Sequence, residues 1–305
     1  MEDAFELAAM TGPEVDALDR GNTVFVAVLS PVEVHGPHLP LGTDVWLAEK
    51  VRDRALARLG ESRPELRFVL LPSFFLGSDT IPGSVEVDSR AVNLLLRGLA
   101  TFLADRGFRY LLVVDNHGGP RHQIAVAKAV RRLYRERGFH IVAPFLSFYR
   151  RMLELDPALL SRLGRGPGSC GDVQDCHAGL NETSLALRAM PERVRPAWRE
   201  LGRVSISTRR WPYLVLGSLG NLLRALGGEE TGKDLAYAGL MLSWVTEKRP
   251  SNYIGEPRSA NPEAGERMLD AFRDEVVMRL DAALRGEPPF HTPMGWTLRV
   301  FEPSR

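Results

Sequence analysis

Cysteine is nearly missing: Cys170 and Cys176 are the two thiols in a chain of 305 residues. That count excludes a disulfide framework, and reduced thiols in a cytoplasmic protein are the expectation. Charge of one sign is missing too. Lys and Arg total 39 against 38 Asp and Glu, and no block of like charge runs along the chain. The electrostatic footprint of a nucleic-acid or anionic-membrane binder is therefore absent. No run of about 18 uncharged apolar residues occurs, as a membrane-crossing helix would need. The stretch from Met1 to Thr23 has no basic start followed by an apolar run, so no signal peptide is expected. What is present is a near-neutral, globular composition, 44% hydrophobic and 25% charged. It suits a neutral or small-molecule partner.

The runs TVFVAVL (23–29) and RYLLVVDN (109–116) are apolar, β-branched and of strand length. Phe68 to Leu71 and His140 to Pro144 continue the strand pattern. Between these runs, Val45 to Leu59, Ser89 to Arg106 and Gln123 to Arg137 keep apolar residues at helical spacing, with Ser89 a plausible cap. Alternating β and α units predict a three-layer α/β/α domain with a mostly parallel central sheet. Residues after Asn116 then lie at the carboxyl end of a strand, where open α/β sheets bind ligands. Residues 193–233, with Arg clusters, Trp198 and Trp211, break the rhythm and read as an insertion or flap within one domain. A helix from Lys233 to Glu247, a final helix through Leu284 and a proline-bearing tail from 286 complete the chain.

The histidines are clustered. His35 and His38 fall in SPVEVHGPHLPLGTD, His117 and His122 in DNHGGPRH, and His177 in DCHAGLNETS. Glu33 and His35, two apart in an extended segment, share one side of the chain and can face one ion. Asp44 follows across a turn, His117 ends a strand, and Glu182 follows His177 by five residues. Oxygen and nitrogen donors without thiolates suit zinc, manganese or iron, and several carboxylates suit two metals sharing one of them. Any one carboxylate taken singly is usually a solvated surface group. For His38 and His122 a loop or supporting imidazole reads as well as a functional one, and a Cys176 nucleophile has no matched partner at a favourable spacing. Gly118 and Gly119 either make a tight turn or let the backbone approach a ligand. DNHGGP lacks the glycine pattern of a phosphate cradle.

The blocks EVHGPHLPLGTD (33–44), IPGSVEVDS, GFRYLLVVDNHGG (107–119), DCHAGLNETS (175–184) and YIGEPRSANPEAGE (253–266), in this order, resemble the creatininase family. The resemblance implies an α/β/α fold, a binuclear divalent-metal centre, hydrolysis of a cyclic or formyl amide, and a homo-oligomer, commonly a hexamer. Carried over by residue, it implies that Glu33, Asp44 and His117 hold one metal, and that His35, Asp44 and a further carboxylate hold the other. In creatinine-hydrolysing members that carboxylate stands two residues after the strand-end histidine, where this chain has Gly119; Glu182 is the natural substitute. Such members also place a tryptophan shortly before the HAG histidine. Here Asp172, Val173 and Gln174 fill that stretch, so creatinine itself is not the expected substrate. Pro120 replaces the usual asparagine of HGGN and removes a backbone donor.

The expected chemistry is attack by a hydroxide shared between two divalent cations, with His177 as general acid whose pKa the nearby Asp175 and Glu182 would raise. Ser84, Gly118 and Gly119 are the candidate substrate contacts. Arg209, Arg210, Trp211 and Tyr213 could touch an anionic or aromatic substrate or a neighbouring subunit. The alternatives are a binuclear hydrolase of a polyol-derived or lactone substrate, and a non-catalytic oligomeric scaffold.

Overall fold

The computed structural model describes residues 4–206, 211–247 and 250–301. Arg209 and Arg210 lie outside them. The elements run β1 (Ala4–Glu6), α1 (Gly12–Asp16), β2 (Thr23–Ser30), α2 (Thr43–Ser62), β3 (Arg67–Leu70), β4 (Phe74–Phe75), α3 (Ser89–Asp105), β5 (Tyr110–Val114), α4 (Pro120–Arg137) and β6 (His140–Val142). They continue with α5 (Phe145–Leu153), α6 (Pro157–Leu163), α7 (Leu180–Ala189), α8 (Trp211–Ala225), α9 (Glu229–Val245) and α10 (Pro262–Leu284).

The strands form one sheet in the order β1-β3-β2-β5-β6, with β4 pairing the end of β2, and every pairing is parallel. Central β2 is buried along its whole length, which is why it reads as a continuous apolar run. Its side chains alternate between two cores. Val24, Val26 and Val28 pack with α2, α5, α7 and α10, whereas Phe25, Ala27 and Leu29 pack with α3 and α4. The helix α3 shows the matching period, burying Val92, Leu96, Ala100 and Leu103 at three- and four-residue steps. Truncating a fully buried side chain such as Leu96 to alanine would cost about 2–5 kcal/mol.

Two local expectations change, the cap of α3 and the start of α9. Asp88, not Ser89, caps α3, its carboxylate accepting from the Arg90 N–H at 2.8 Å. Asp88 has the extended backbone of an N-cap, with φ −60° and ψ 136°, whereas Ser89 is already the first helical residue. Residues 193–233 are largely helical: α8 lies there and α9 begins at Glu229, four residues before the expected start. α8 packs along α9 yet leaves Trp211, Leu214, Val215, Leu219 and Leu222 exposed, with Leu226 exposed just beyond its end. The tail after Gly286 lies on its own chain, because buried Asp234 of α9 accepts from the Gly295 and Thr297 N–H groups at 2.6 and 2.8 Å. No helix is long and apolar enough to cross a membrane among the described residues. Both cysteines are free, Cys170 buried and Cys176 half-buried.

Register sets up the site. β2 and β5 are neighbours, with Val28 opposite Val114, so the segments leaving their carboxyl ends emerge side by side. One carries Glu33 and His35, the other Asp115 to His117.

Candidate metal centre

Each histidine of the centre is oriented by a backbone carbonyl. His35 Nδ1 donates to the Glu33 carbonyl at 3.0 Å, leaving Nε2 3.3 Å from Asp44 Oδ1 and 3.7 Å from Glu182 Oε2. His117 Nε2 donates to the Ser78 carbonyl at 2.8 Å, leaving Nδ1 2.9 Å from Glu33 Oε2 and 3.6 Å from Asp44 Oδ2. A carbonyl only accepts, so these bonds fix the tautomer and turn an imidazole lone pair toward carboxylate oxygens. Lone pair facing lone pair is repulsive unless a positive charge lies between. His35 Nε2 and Asp44 Oδ2 are, moreover, buried without a hydrogen-bond partner. The donor set therefore fits divalent cations, through Glu33, Asp44 and His117 on one side and His35, Asp44 and Glu182 on the other. Asp44 belongs to both groups. Glu33, His35 and His177 form a further group of potential ligands.

The carboxylates are supported by the local fold. Asp44 sits in the first turn of α2 and Glu182 in the first turn of α7, where the helix dipole favours negative charge. Asn116 Nδ2 donates to Asp44 Oδ1 at 3.1 Å, Ile81 N–H to Glu33 Oε1 at 2.8 Å, and Ala178 N–H to Glu182 Oε2 at 2.5 Å. Ala178 reaches Glu182 with a left-handed φ of 47°, unusual for a residue with a side chain.

Ionisation follows from these neighbours. Where no metal ion is held, a proton on Nε2 takes its place: burial disfavours charge on His35, yet the Asp44 and Glu182 carboxylates lift its pKa to about 10. Burial also opposes the charge of Asp44, but His35 and His117 hold it well below the usual carboxylate range. Glu182 is pushed up to about 7 by burial. The expectation for His177 fails in sign: burial, reinforced by His35, pushes it down to about 4. Asp175 does not lift it because its carboxylate turns to the N–H groups of Gly171, Leu180 and Asn181. His177 Nε2 donates to the Val34 carbonyl at 2.7 Å, leaving Nδ1 as its proton-accepting nitrogen.

Glu33, His35, Asp44, His117, His177 and Glu182 are thus gathered in one place, beside a cavity of about 520 Å³ that Gly118 and Gly119 also line. Ser84 is not among the lining residues; its hydroxyl accepts from the Val34 N–H at 2.9 Å and braces the ligand-bearing segment instead. His38 bonds Thr183 at 2.8 Å, and His122 packs edge-on against His117, so both stand behind the centre. Pro120 is the first residue of α4, a position whose N–H has no helical partner, so its missing donor leaves the helix intact.

Sequence reasoning missed Asp115, which receives Ser30 Oγ at 2.7 Å, His117 N–H at 2.9 Å and Gln123 Nε2 at 2.9 Å and so fixes the strand-end loop. Its place directly before Asn116 and His117 at the end of a buried strand was the available signal. It also missed Tyr149, Tyr237, Met241 and Trp244 in the cavity wall, which no motif marks.

A family model described as Creatininase, creatinine amidohydrolase, matches residues 8–280. The chain is 27% identical over 268 residues to a protein of Mycobacterium ulcerans named mycofactocin precursor peptide peptidase, covering 83% of this chain and 82% of that one. It is 24% identical over 192 residues to the creatinine amidohydrolase of Pseudomonas putida, covering 61% and 72%. Among solved structures, "Creatininase Mn" superposes with a TM-score of 0.61 at 20% identity, covering 92% of this chain and 99% of that one. A creatinine amidohydrolase (creatininase) crystal structure gives 0.60 at 20% identity, over 92% and 97%. At that identity the structural likeness speaks for the fold.

Proposed function

The chain belongs to the creatininase family of metal-dependent amidohydrolases, and we propose that it hydrolyses the C–N bond of a small cyclic amide or formamide at the centre around Asp44. The observation that carries this reading is the pair of carbonyl-oriented histidines, His35 and His117, each turning a lone pair toward the shared carboxylate of Asp44. Glu33, Asp44 and His117 would hold one divalent ion, and His35, Asp44 and Glu182 a second, with zinc, manganese or iron suited to the donors. Such ions, when bound, supply Lewis acidity that polarises an amide carbonyl and acidifies a water.

The remaining steps belong to the chain. His177, neutral near pH 7, takes a proton at Nδ1 and delivers it to the leaving nitrogen; its Nε2–H bond to Val34 holds the ring during both transfers. Gly118 and Gly119, at the start of α4, line the cavity, and their N–H groups are the candidate donors to the oxyanion, since Pro120 has none and the Arg121 N–H is taken by Asp79. A second reading, hydrolysis of a peptide amide, is supported by the peptidase name of the mycobacterial relatives and by a cavity larger than a small ring requires.

The reading extends to a cytoplasmic homo-oligomer, such as a hexamer, acting on a small molecule; the exposed apolar face of α8 supports assembly, which light scattering would measure. The decisive experiment loads purified protein with Mn²⁺ or Zn²⁺ and assays creatinine, N-formyl amino acid amides, short peptides and lactones. Metal-dependent cleavage of an amide is expected, as ring opening of a cyclic amide or as an amine released with formate from a formamide. Turnover of lactones alone would overturn the amide reading, and no metal uptake would favour a scaffold.

A further inference from the structure

The cavity beside the centre is walled mostly by hydrocarbon. Ile81, Ile124, Met241, Leu242, Trp244 and Val245 line it, and its volume of about 520 Å³ falls within the range that encloses drug-sized ligands. The indole of Trp244 is 6% exposed, lies 5.7 Å from the His177 ring between centroids, and uses its N–H on the Ser251 carbonyl at 2.9 Å. It therefore offers the cavity a flat apolar surface next to the proton-transferring imidazole. The charged lining residues outside the centre are bound to one another: Arg121 pairs with Asp79 and, at 3.3 Å, with Glu86. Nothing in that arrangement calls for a charged substituent. Ala238 lines the cavity from α9 between Tyr237 and Met241, so the small side chain there leaves room that a larger one would fill.

We propose that this cavity is a specificity site for a bulky, uncharged apolar or aromatic group carried next to the scissile amide, and that Ala238, Met241 and Trp244 set its size. The place of the scissile bond rests on the amide-hydrolase reading; the apolar binding does not. Burying a phenyl group against such a wall favours it over a methyl group by about 10- to 100-fold.

The test has a binding arm and a turnover arm on the Mn²⁺-loaded full chain. Calorimetry compares 3-phenylpropionamide with propionamide, and the assay compares N-formylphenylalaninamide with N-formylglycinamide. Two variants are paired with the wild type: Ala238→Trp fills the cavity, and Leu242→Asp, at a residue 42% exposed, puts a charge on its wall without disturbing the core. The expected result is a preference of about tenfold or more for the phenyl compound in both arms, lost in both variants. Equal binding of the two amides, or a preference that persists in both variants, would overturn the proposal. A phenyl preference in binding with hydrolysis of neither formamide would sustain the cavity assignment and count against the hydrolase reading, so the two failures are told apart.

Discussion

The phenol of Tyr149 occupies the space that a side chain on Gly118 would need: a Cβ placed on Gly118 would lie 2.5 Å from the Tyr149 hydroxyl oxygen. Real Cβ atoms do not come so close, so the glycine of HGG and the tyrosine of α5 are a matched pair at the cavity wall. Gly118→Ala should force Tyr149 or the strand-end loop to move, destabilising the protein by about 1–3 kcal/mol as overpacking does. The loop also carries His117, so turnover should fall with it. Thermal unfolding and the amide assay check both, and the double variant with Tyr149→Ala, which opens the space, should recover part of the lost stability.

Asp44 faces both His35 and His117, so both cation groups depend on it. Wild-type protein should carry about two divalent ions per chain. Asp44→Ala should lose nearly all metal and activity together, whereas Glu182→Gln, which touches one group alone, should retain about half the metal. Elemental analysis per chain decides the matter: full occupancy in Asp44→Ala would remove Asp44 from its shared position.

The strands β2, β3, β5 and β6 and the helices α2, α3, α4, α9 and α10 could be read from the sequence, because burial on both faces of β2 and β5 leaves uninterrupted apolar runs and α3 buries one clean stripe. The polar residues of the centre stood out because five histidines cluster in three loops at strand and helix ends. α7 was hidden by its polar start, Asn181, Glu182, Thr183 and Ser184, which reads as a loop although Asn181, Thr183 and Ser184 are buried inside the helix. The cavity wall was hidden for a different reason. Met241, Leu242, Trp244 and Val245 stand on a helix with apolar residues all round, where pattern alone does not separate core from cavity lining. Likewise, Asp175 and His177 are close in sequence, but the direction of a carboxylate decides its effect on a neighbour, and that direction emerges only when Gly171, Leu180 and Asn181 surround it.

His177 is held by the Val34 carbonyl and lines the cavity. His177→Ala should leave the Asp44-linked cation groups in place, since Glu33, Asp44 and His117 on one side and His35, Asp44 and Glu182 on the other do not include it. Loss of the proton-transferring ring should lower kcat by about 10²- to 10⁴-fold with KM little changed. Near-normal turnover at full metal content would remove His177 from proton transfer. A simultaneous loss of half the metal would instead favour the third group, in which its ring stands with Glu33 and His35.

Stability should also fall in acid through a group remote from the centre. Burial, with Arg279 of α10 and Arg131 of α4 adding to it and Glu275 of α10 opposing, pushes His291 in the tail down to about 4. The unfolded chain binds this proton near the ordinary value of about 6.5, before the folded protein does. The folded pKa is the lower one, so the stabilisation is fully present above about pH 6.5 and is lost as the pH falls toward 4, at about 1.4 kcal/mol per unit. Urea unfolding at pH 7, 6 and 5 should show a slope that includes this share, and His291→Gln, which cannot titrate, should reduce it, the rest belonging to His38 and His177, which burial also holds down to about 4. An unchanged slope in that variant would assign the acid sensitivity to other groups.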